Sequence, residues 1–481
     1  MSRSTIVWFR QDLRLQDNPA LKYAAENGSI IPIYILDTNP TEKMGEASRW
    51  WLHHSLQSLS DSFSTFGHTL HIFVGNPFHV LHDLLKQTGA NSIVWNRCYE
   101  PYAIERDSKI KEYFQGLKVN IKSFNSNLLF EPWTILNKQG TFFKVFTPFW
   151  KHCLMQTPEV AVDSIAALQS SKPISPSINS LEVNDLNLLP KNPDWSGGLQ
   201  ESWKPGEPKA LNKLKTFLQN HIANYKHDRD FMDQVGTSRL SPHLHFGEIS
   251  PRYIWNACKE LLTFQNENIE SIHSFLSEIG WREFSYHLLY HIPTLTDQPI
   301  QAKFNAFPWK DDEILLNKWQ KGKTGIPIVD AAMRELWHTG YMHNRARMIV
   351  ASFLTKNLLI PWQNGAQWFL DTLVDADLAS NSVSWQWVAG CGVDAAPYFR
   401  IFNPVSQGEK FDPHGNYVKK WIPELSSLDI PYIHQPWTAP SDLLEEKHII
   451  LGKTYPKPMI DLKESRNLAL SAYKHIQNAT L

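Results

Sequence analysis

The sequence predicts a two-part architecture: an α/β N-terminal domain built on a parallel Rossmann-like sheet, followed by an all-helical C-terminal domain. Three observations predict it. Short β-branched runs alternate with helix-like stretches over residues 1–129, clear periodicity fades over 130–204, and helical spacing dominates 205–481. A chain of 481 residues is also too long for one ordinary core, so division is expected on size alone.

In the first part, Thr5 to Phe9, Ile30 to Leu36, Thr69 to Val74, Ser92 to Trp95 and Val119 to Lys122 read as five strands. Helix-like stretches near 18–27, 47–66, 77–88 and 103–117 separate them, and such crossovers imply parallel pairing. No Gly-x-Gly-x-x-Gly follows the first strand, so no nicotinamide cofactor is placed there. Residues 130–204 contain Ser170 to Ser177 and Pro190 to Pro193, the composition of a connector running over the surface. Beyond it, Ala210 to Asn224, Ser271 to Tyr290, Ile328 to Thr339 and Asn344 to Leu359 carry the helical period.

Charge nearly cancels, with 47 basic and 48 acidic residues, so no global field draws this chain to nucleic acid and any such contact must be a local basic patch. The four cysteines, Cys98, Cys153, Cys258 and Cys391, lie far apart, which suits a reducing compartment. No leader-like N-terminus and no run of about 18 apolar residues is present, so a cytoplasmic protein without membrane spans, working as a monomer, is expected. Tryptophan is the compositional outlier: 13 of the 19 follow position 190, and each is either packing or a stacking and electron-transfer group.

The segment from Asn344 to Arg400 gathers Asn344, Arg345, Arg347, Met348, Asp375, Asp377, Asn381, Trp385, Trp387 and Arg400. Buried polar groups need partners and buried charges need counter-charges, so this mixture points to a large polar-aromatic ligand. Asn344 and Met348, four apart, share one helical face. Upstream, Tyr225 and Arg229 precede Gly236-Thr237-Ser238-Arg239-Leu240-Ser241-Pro242, a loop able to aim hydroxyls and N–H groups at a pyrophosphate, or simply a helix start capped by Ser241. Glu278 and Trp281, three apart, put a carboxyl and an indole on one face. Other motifs fall away. Gly322-Lys323-Thr324 lacks the first glycine of a phosphate loop, His287 and His291 lack a third metal ligand, and no Gly-x-Ser-x-Gly elbow is present, so no metal site is assigned.

The blocks GYMHNRARM, DTLVDADLASNSVSWQW and DAAPYFRIFNPVSQGEKFDPHG, with VWFRQDLRLQDNPAL near the start, closely resemble the photolyase/cryptochrome flavoproteins. The likeness is to class I-like cyclobutane pyrimidine dimer photolyases in particular and covers nearly the whole chain. It implies an antenna domain at 1–129 and an FAD-binding catalytic domain at 205–481. The cofactor contacts carried over are Tyr225, Thr237, Ser238, Arg239, Leu240 and Ser241 for the phosphates. Asn344, Arg347, Asp375, Ala376, Asp377 and Asn381 are carried over around the rest of FAD, Arg347 being expected to pair with Asp375. Asn381 would face N5; plant cryptochromes usually have aspartate there, so asparagine favours repair over signalling. The substrate contacts are Arg229, Glu278, Trp281, Asn344, Arg345, Met348 and Trp387, around a pyrimidine dimer flipped out of UV-damaged DNA. Glu278 and Asn381 would serve the chemistry, and Trp385, Trp362 and Trp309 match the family's electron-transfer chain. A cryptochrome-type blue-light photoreceptor and a (6-4) photolyase are the alternatives, the latter lacking its histidine pair around Asn344. The resemblance leaves room for a second, antenna chromophore, methenyltetrahydrofolate ahead of deazaflavin. Tyr99-Glu100 is followed by Pro101-Tyr102-Ala103 without the usual glutamate, with Glu105, or Trp51 and Arg49, as substitutes.

Overall fold

The computed structural model describes residues 4–39, 44–174, 178–264, 268–394 and 399–478. Parts of two stretches singled out above, 175–177 and 395–398, lie outside the described residues. Five parallel strands, β1 (Ser4–Phe9), β2 (Ser29–Asp37), β3 (His71–Gly75), β4 (Ser92–Asn96) and β5 (Asn120–Phe124), form one sheet in the order β3-β2-β1-β4-β5. The register pairs Val7 with both Pro32 and Val94, so central β1 is covered on each edge and apolar from Ile6 to Phe9, as a strand enclosed on both faces must be. Local chemistry sets the crossover helices. The side chain of Asn18 accepts from Leu21 N–H to start Pro19–Glu26, and Asn76 does the same before Pro77–Thr88, which stops at Gly89 with φ +64°.

The rest of the chain is predominantly helical, with a core of Trp319, Met333, Val350, Leu354 and Trp362 beside a second core of Phe217, Ile254, Phe275, Phe284 and Leu288. The two parts meet through buried polar groups. Arg252 pairs with Asp17 at 3.0 Å, Glu207 accepts the N–H groups of Leu15 and Gln16 at 2.7 Å each, and Trp51 Nε1 donates to Glu248 at 3.0 Å. Gly247 lies against this junction at φ +66°, where a Cβ would sit 1.9 Å from the Gln11 carbonyl oxygen. Only glycine fits so close an approach.

Two expectations change. Residues 130–204 do not simply run over the surface: the Phe146–Leu154 helix buries Phe149, Trp150 and Cys153, and Phe146 stacks on Trp281 with centroids 3.7 Å apart. Its aromatic residues supply the burial that periodicity over so short an element cannot display. The helix expected to run from Asn344 to Leu359 ends its regular part at Ser352 and continues as a π turn over Phe353–Asn357. There the Thr355 hydroxyl donates to the Ala351 carbonyl, a bond that competes with the regular ladder.

Candidate active site

A cavity of about 510 Å³ opens between the Ile269–His291 helix, the Asn344–Ser352 helix, the Leu378–Ala389 helix and the 237–241 loop. Tyr225, Thr237, Ser238, Arg239, Leu240 and Ser241 line one part of it. Asn344, Arg347, Asp375, Ala376, Asp377 and Asn381 line another, so segments more than a hundred residues apart in sequence meet around one space. Arg229, Glu278, Trp281, Met348, Trp385 and Trp387 also line it. Arg345 does not, although it starts beside Asn344; its guanidinium turns to Asp230. Trp309 and Trp362 lie off the cavity, Trp362 buried in the core and Trp309 packed on Phe307 at 4.4 Å.

The 237–241 loop is held in an uncommon conformation. Arg239 adopts φ +50°, and its guanidinium lies 4.5 Å from the centroids of both Trp203 and Tyr341. Left-handed backbone costs about 1 kcal/mol for a residue with a Cβ, and the two cation–π contacts offset it. Its buried Nε has no partner among the described residues, and Thr237 and Ser238 line the same cavity.

The carboxylates opposite are fully engaged. Asp375 receives Arg347 Nη2 at 2.9 and 2.7 Å and the Ser241 hydroxyl at 2.6 Å, so the pairing expected from the sequence closes around a buried charge. Asp377 caps the Leu378–Ala389 helix by accepting from Ser380 N–H at 2.7 Å, and it accepts from the Tyr286 hydroxyl at 2.6 Å. Burial alone would raise its pKa; His245, Arg282 and Tyr286 outweigh that and hold it well below the ordinary carboxylate range. Asn381 donates one amide hydrogen to the Ala366 carbonyl at 3.0 Å, which fixes the amide plane beside the cavity and leaves the second N–H able to donate.

These donors fit FAD. An unsatisfied guanidinium nitrogen with two hydroxyls suits a diphosphate, and a fixed amide with an internally neutralised Arg347–Asp375 pair suits a flavin ring that carries charge when reduced.

Another part of the lining is largely aromatic and apolar. One face of Trp281 is covered by Phe146, and Met348 and Trp387 line the cavity with it. Glu278, one turn before Trp281, accepts from Arg229 Nη1 at 2.7 Å. Trp385 packs edge-on against Phe369 at 5.0 Å and Trp319 at 6.3 Å, its Nε1 buried without a partner. Gly365, one turn after Trp362, makes room for it: a Cβ there would meet the Trp385 ring at 2.1 Å.

Sequence reasoning missed His245, Tyr286, Arg282 and Tyr341. His245 carried a signal, sitting two residues after His243 at a helix start, but it reads as a cap until Asp377 is seen 3.7 Å away. The positions offered for an antenna chromophore are otherwise employed. Trp51 is fully enclosed among Trp203, His243 and Phe246, and Glu105 is exposed and paired with Lys109. His287 is also a packing residue, its Nε2 accepting from Phe143 N–H at 3.1 Å. Thr324 donates its N–H and hydroxyl to buried Asp330 at 2.7 Å each rather than facing a phosphate.

Comparison with known proteins agrees with this geometry. Residues 5–167 match the family model described as DNA photolyase, and residues 275–475 match the FAD binding domain of DNA photolyase. A deoxyribodipyrimidine photo-lyase of Agrobacterium fabrum is 46% identical over 477 residues, 99% of this chain and 98% of that protein. Cryptochrome-2 of Arabidopsis thaliana is 37% identical over 100% of this chain and 80% of its own. Among solved structures, a bacterial class III photolyase from Agrobacterium tumefaciens superposes with a TM-score of 0.96 at 45% identity, covering 99% of this chain and 98% of that one. A cryptochrome from Synechocystis gives 0.89 at 30% identity, covering 98% and 99%. The class I-like placement expected from the sequence finds no support here, since that similar photolyase structure is described as class III.

Proposed function

The chain belongs to the DNA photolyase/cryptochrome family, and from that premise we propose that it is a deoxyribodipyrimidine photo-lyase, a flavoprotein that repairs cyclobutane pyrimidine dimers in UV-damaged DNA under light. The observation that carries this reading is that one cavity joins polar groups suited to FAD with Glu278, Trp281, Met348 and Trp387. Reduced FAD held by these residues would supply the light-driven electron chemistry, an electron lent to the lesion and returned, so the repair would have no net redox change. The protein's part is position and electrostatics. Trp281, backed by Phe146, offers one indole face on which a flipped base can stack, and Met348 and Trp387 exclude water from the same space. Glu278 brings a carboxyl that can accept from a ring N–H of the lesion or, when protonated, donate to a base carbonyl; Asn344 brings an amide, and the second N–H of Asn381 would be free to donate to the cofactor ring.

The amide at Asn381, and the lack of the histidine pair that (6-4) enzymes of this family carry around the place of Asn344, favour this reading over a blue-light photoreceptor or (6-4) repair. Activity as a cytoplasmic monomer is part of the proposal; among the described residues no helix is long and apolar enough to cross a membrane. So is a second chromophore, methenyltetrahydrofolate ahead of deazaflavin, held elsewhere than on the enclosed Trp51. The test is Glu278→Ala. It should keep its flavin, because the carboxyl belongs to the lesion side, and repair dimer-containing DNA severalfold more slowly under light. Loss of flavin with unimpaired repair per bound flavin would refute the assignment.

A further inference from the structure

Two ion pairs start from adjacent residues of opposite sign, one lining the cavity and one just behind its wall. Arg229, just after the Tyr225–Asp228 helix, donates Nη1 to Glu278 at 2.7 Å and to Ser274 at 3.3 Å, both on the Ile269–His291 helix. Asp230, the next residue, accepts Nε and Nη2 of Arg345 at 3.0 and 2.8 Å on its single oxygen Oδ1, reaching the Asn344–Ser352 helix. These helices carry walls of the cavity, Glu278 and Trp281 on one and Asn344 and Met348 on the other. All four paired side chains are only partly exposed, between 22% and 34%. Arg345 is further held with its guanidinium 4.6 Å from the Phe411 centroid and Nη1 4.0 Å from the Met348 sulfur.

The arrangement is costly for a protein that binds a polyanion. The two pairs sum to zero charge, and a carboxylate at Asp230 occupies the donors that a phosphate would use. Building on the proposed lesion repair, we infer that Asp230 is a specificity-determining residue: it withholds Arg345 from the phosphates of undamaged DNA and releases it only when a lesion engages Glu278. Undamaged duplex presents nothing to Glu278, so the Arg229–Glu278 pair persists and keeps the 229–230 segment in place. A flipped lesion, its ring N–H groups freed from base pairing, competes as a donor for the Glu278 carboxylate, Arg229 loses its partner, and its neighbour Asp230 shifts with it. Arg229 and Arg345 then both become available to the strand that carries the lesion. Phosphate contacts become conditional on the substrate.

The experiment measures dark binding of the FAD-loaded full chain to an undamaged duplex and to the same duplex carrying one thymine dimer, across a series of salt concentrations. Asp230→Asn keeps shape and removes the charge. On undamaged DNA its log-log salt slope should steepen by roughly 0.9 and its affinity rise roughly eightfold at about 0.1 M salt, as one added phosphate contact requires. On dimer DNA the slope should stay at the wild-type value, because Arg345 already makes that contact. In Asp230→Asn combined with Arg345→Met the gain on undamaged DNA should vanish. An unchanged slope on undamaged DNA, or a gain that survives the double substitution, overturns the inference. Should Asp230→Asn lose its flavin, Arg345→Met alone decides: it should lower the dimer slope by roughly 0.9 and leave the undamaged slope alone, and a fall on both overturns the inference. A wild-type protein that binds both duplexes alike removes the repair reading itself. A wild-type protein that discriminates, with slopes unmoved in Asp230→Asn, removes the latch only.

Discussion

Replacing Arg347 by methionine isolates the electrostatic support of the cofactor site. Among the described residues Asp375, 7% exposed, accepts from two side chains, Arg347 at 2.9 and 2.7 Å and Ser241 at 2.6 Å. Methionine fills much of the space and leaves the carboxylate with one hydroxyl donor. Two routes give the size of the loss. Unit charges about 4 Å apart at an effective dielectric of about 20 attract by about 4 kcal/mol, and removing one partner of a buried pair costs about 3–5 kcal/mol. A loss of about 4 kcal/mol is a large share of the roughly 5–15 kcal/mol that stabilises a native protein, so Arg347→Met should unfold at clearly lower denaturant and purify with little flavin. The paired variant Arg347→Met with Asp375→Asn removes the stranded charge, leaving an amide that still accepts from Ser241. It should recover stability to within about 1 kcal/mol of the wild type, so the two substitutions combine far from additively. The assay is denaturant unfolding followed by tryptophan fluorescence on the four proteins of the cycle, with flavin absorbance per chain as a second readout. Additive losses would refute the claim that Arg347 acts through Asp375, as would an Arg347→Met protein that keeps flavin and stability.

Two more outcomes follow from other groups. The Glu283 carboxyl accepts from Leu129 and Phe130 N–H at 2.9 and 3.2 Å and is pushed up by burial from 4.5 to about 7. A raised folded pKa means the native state retains a proton that the unfolded chain releases, so this group's contribution is whole below pH 4.5 and is lost as pH rises toward 7, by up to about 3 kcal/mol. Unfolding free energies of wild type and Glu283→Gln should therefore diverge in the variant's favour across that window, and a difference that stays flat with pH would refute it. Trp309→Phe nearly conserves shape and lies off the cavity, so folding and FAD content should be unchanged. It should lose most light-driven reduction of oxidised flavin by external donors yet repair dimers once the flavin is reduced chemically; normal photoreduction would make Trp309 a packing residue.

The legible and illegible parts of this molecule divide along one physical line. Patterns that repeat within a single element could be read: β1 and β4 are enclosed on both faces and therefore spell continuous apolar runs, and Glu278 with Trp281 or Asn344 with Met348 share a face because the helix repeats every 3.6 residues. The 237–241 loop was legible as a place for hydroxyls, but the positive φ of Arg239 was not, since it is held by rings of Trp203 and Tyr341 that only the tertiary fold brings near. Charge pairing was legible only where a partner was already suspected. Arg347 and Asp375, 28 apart, both sat in the crowded C-terminal segment, whereas Asp230 and Arg345, 115 apart, and Arg229 and Glu278, 49 apart, carry no mark of one another in the sequence. Read singly, Arg229 and Arg345 are two cations free for phosphate; read in the fold, each is already neutralised. A count of basic residues near a binding site thus overstates its attraction for DNA, because the strength of that attraction is set by the carboxylates that must first let go.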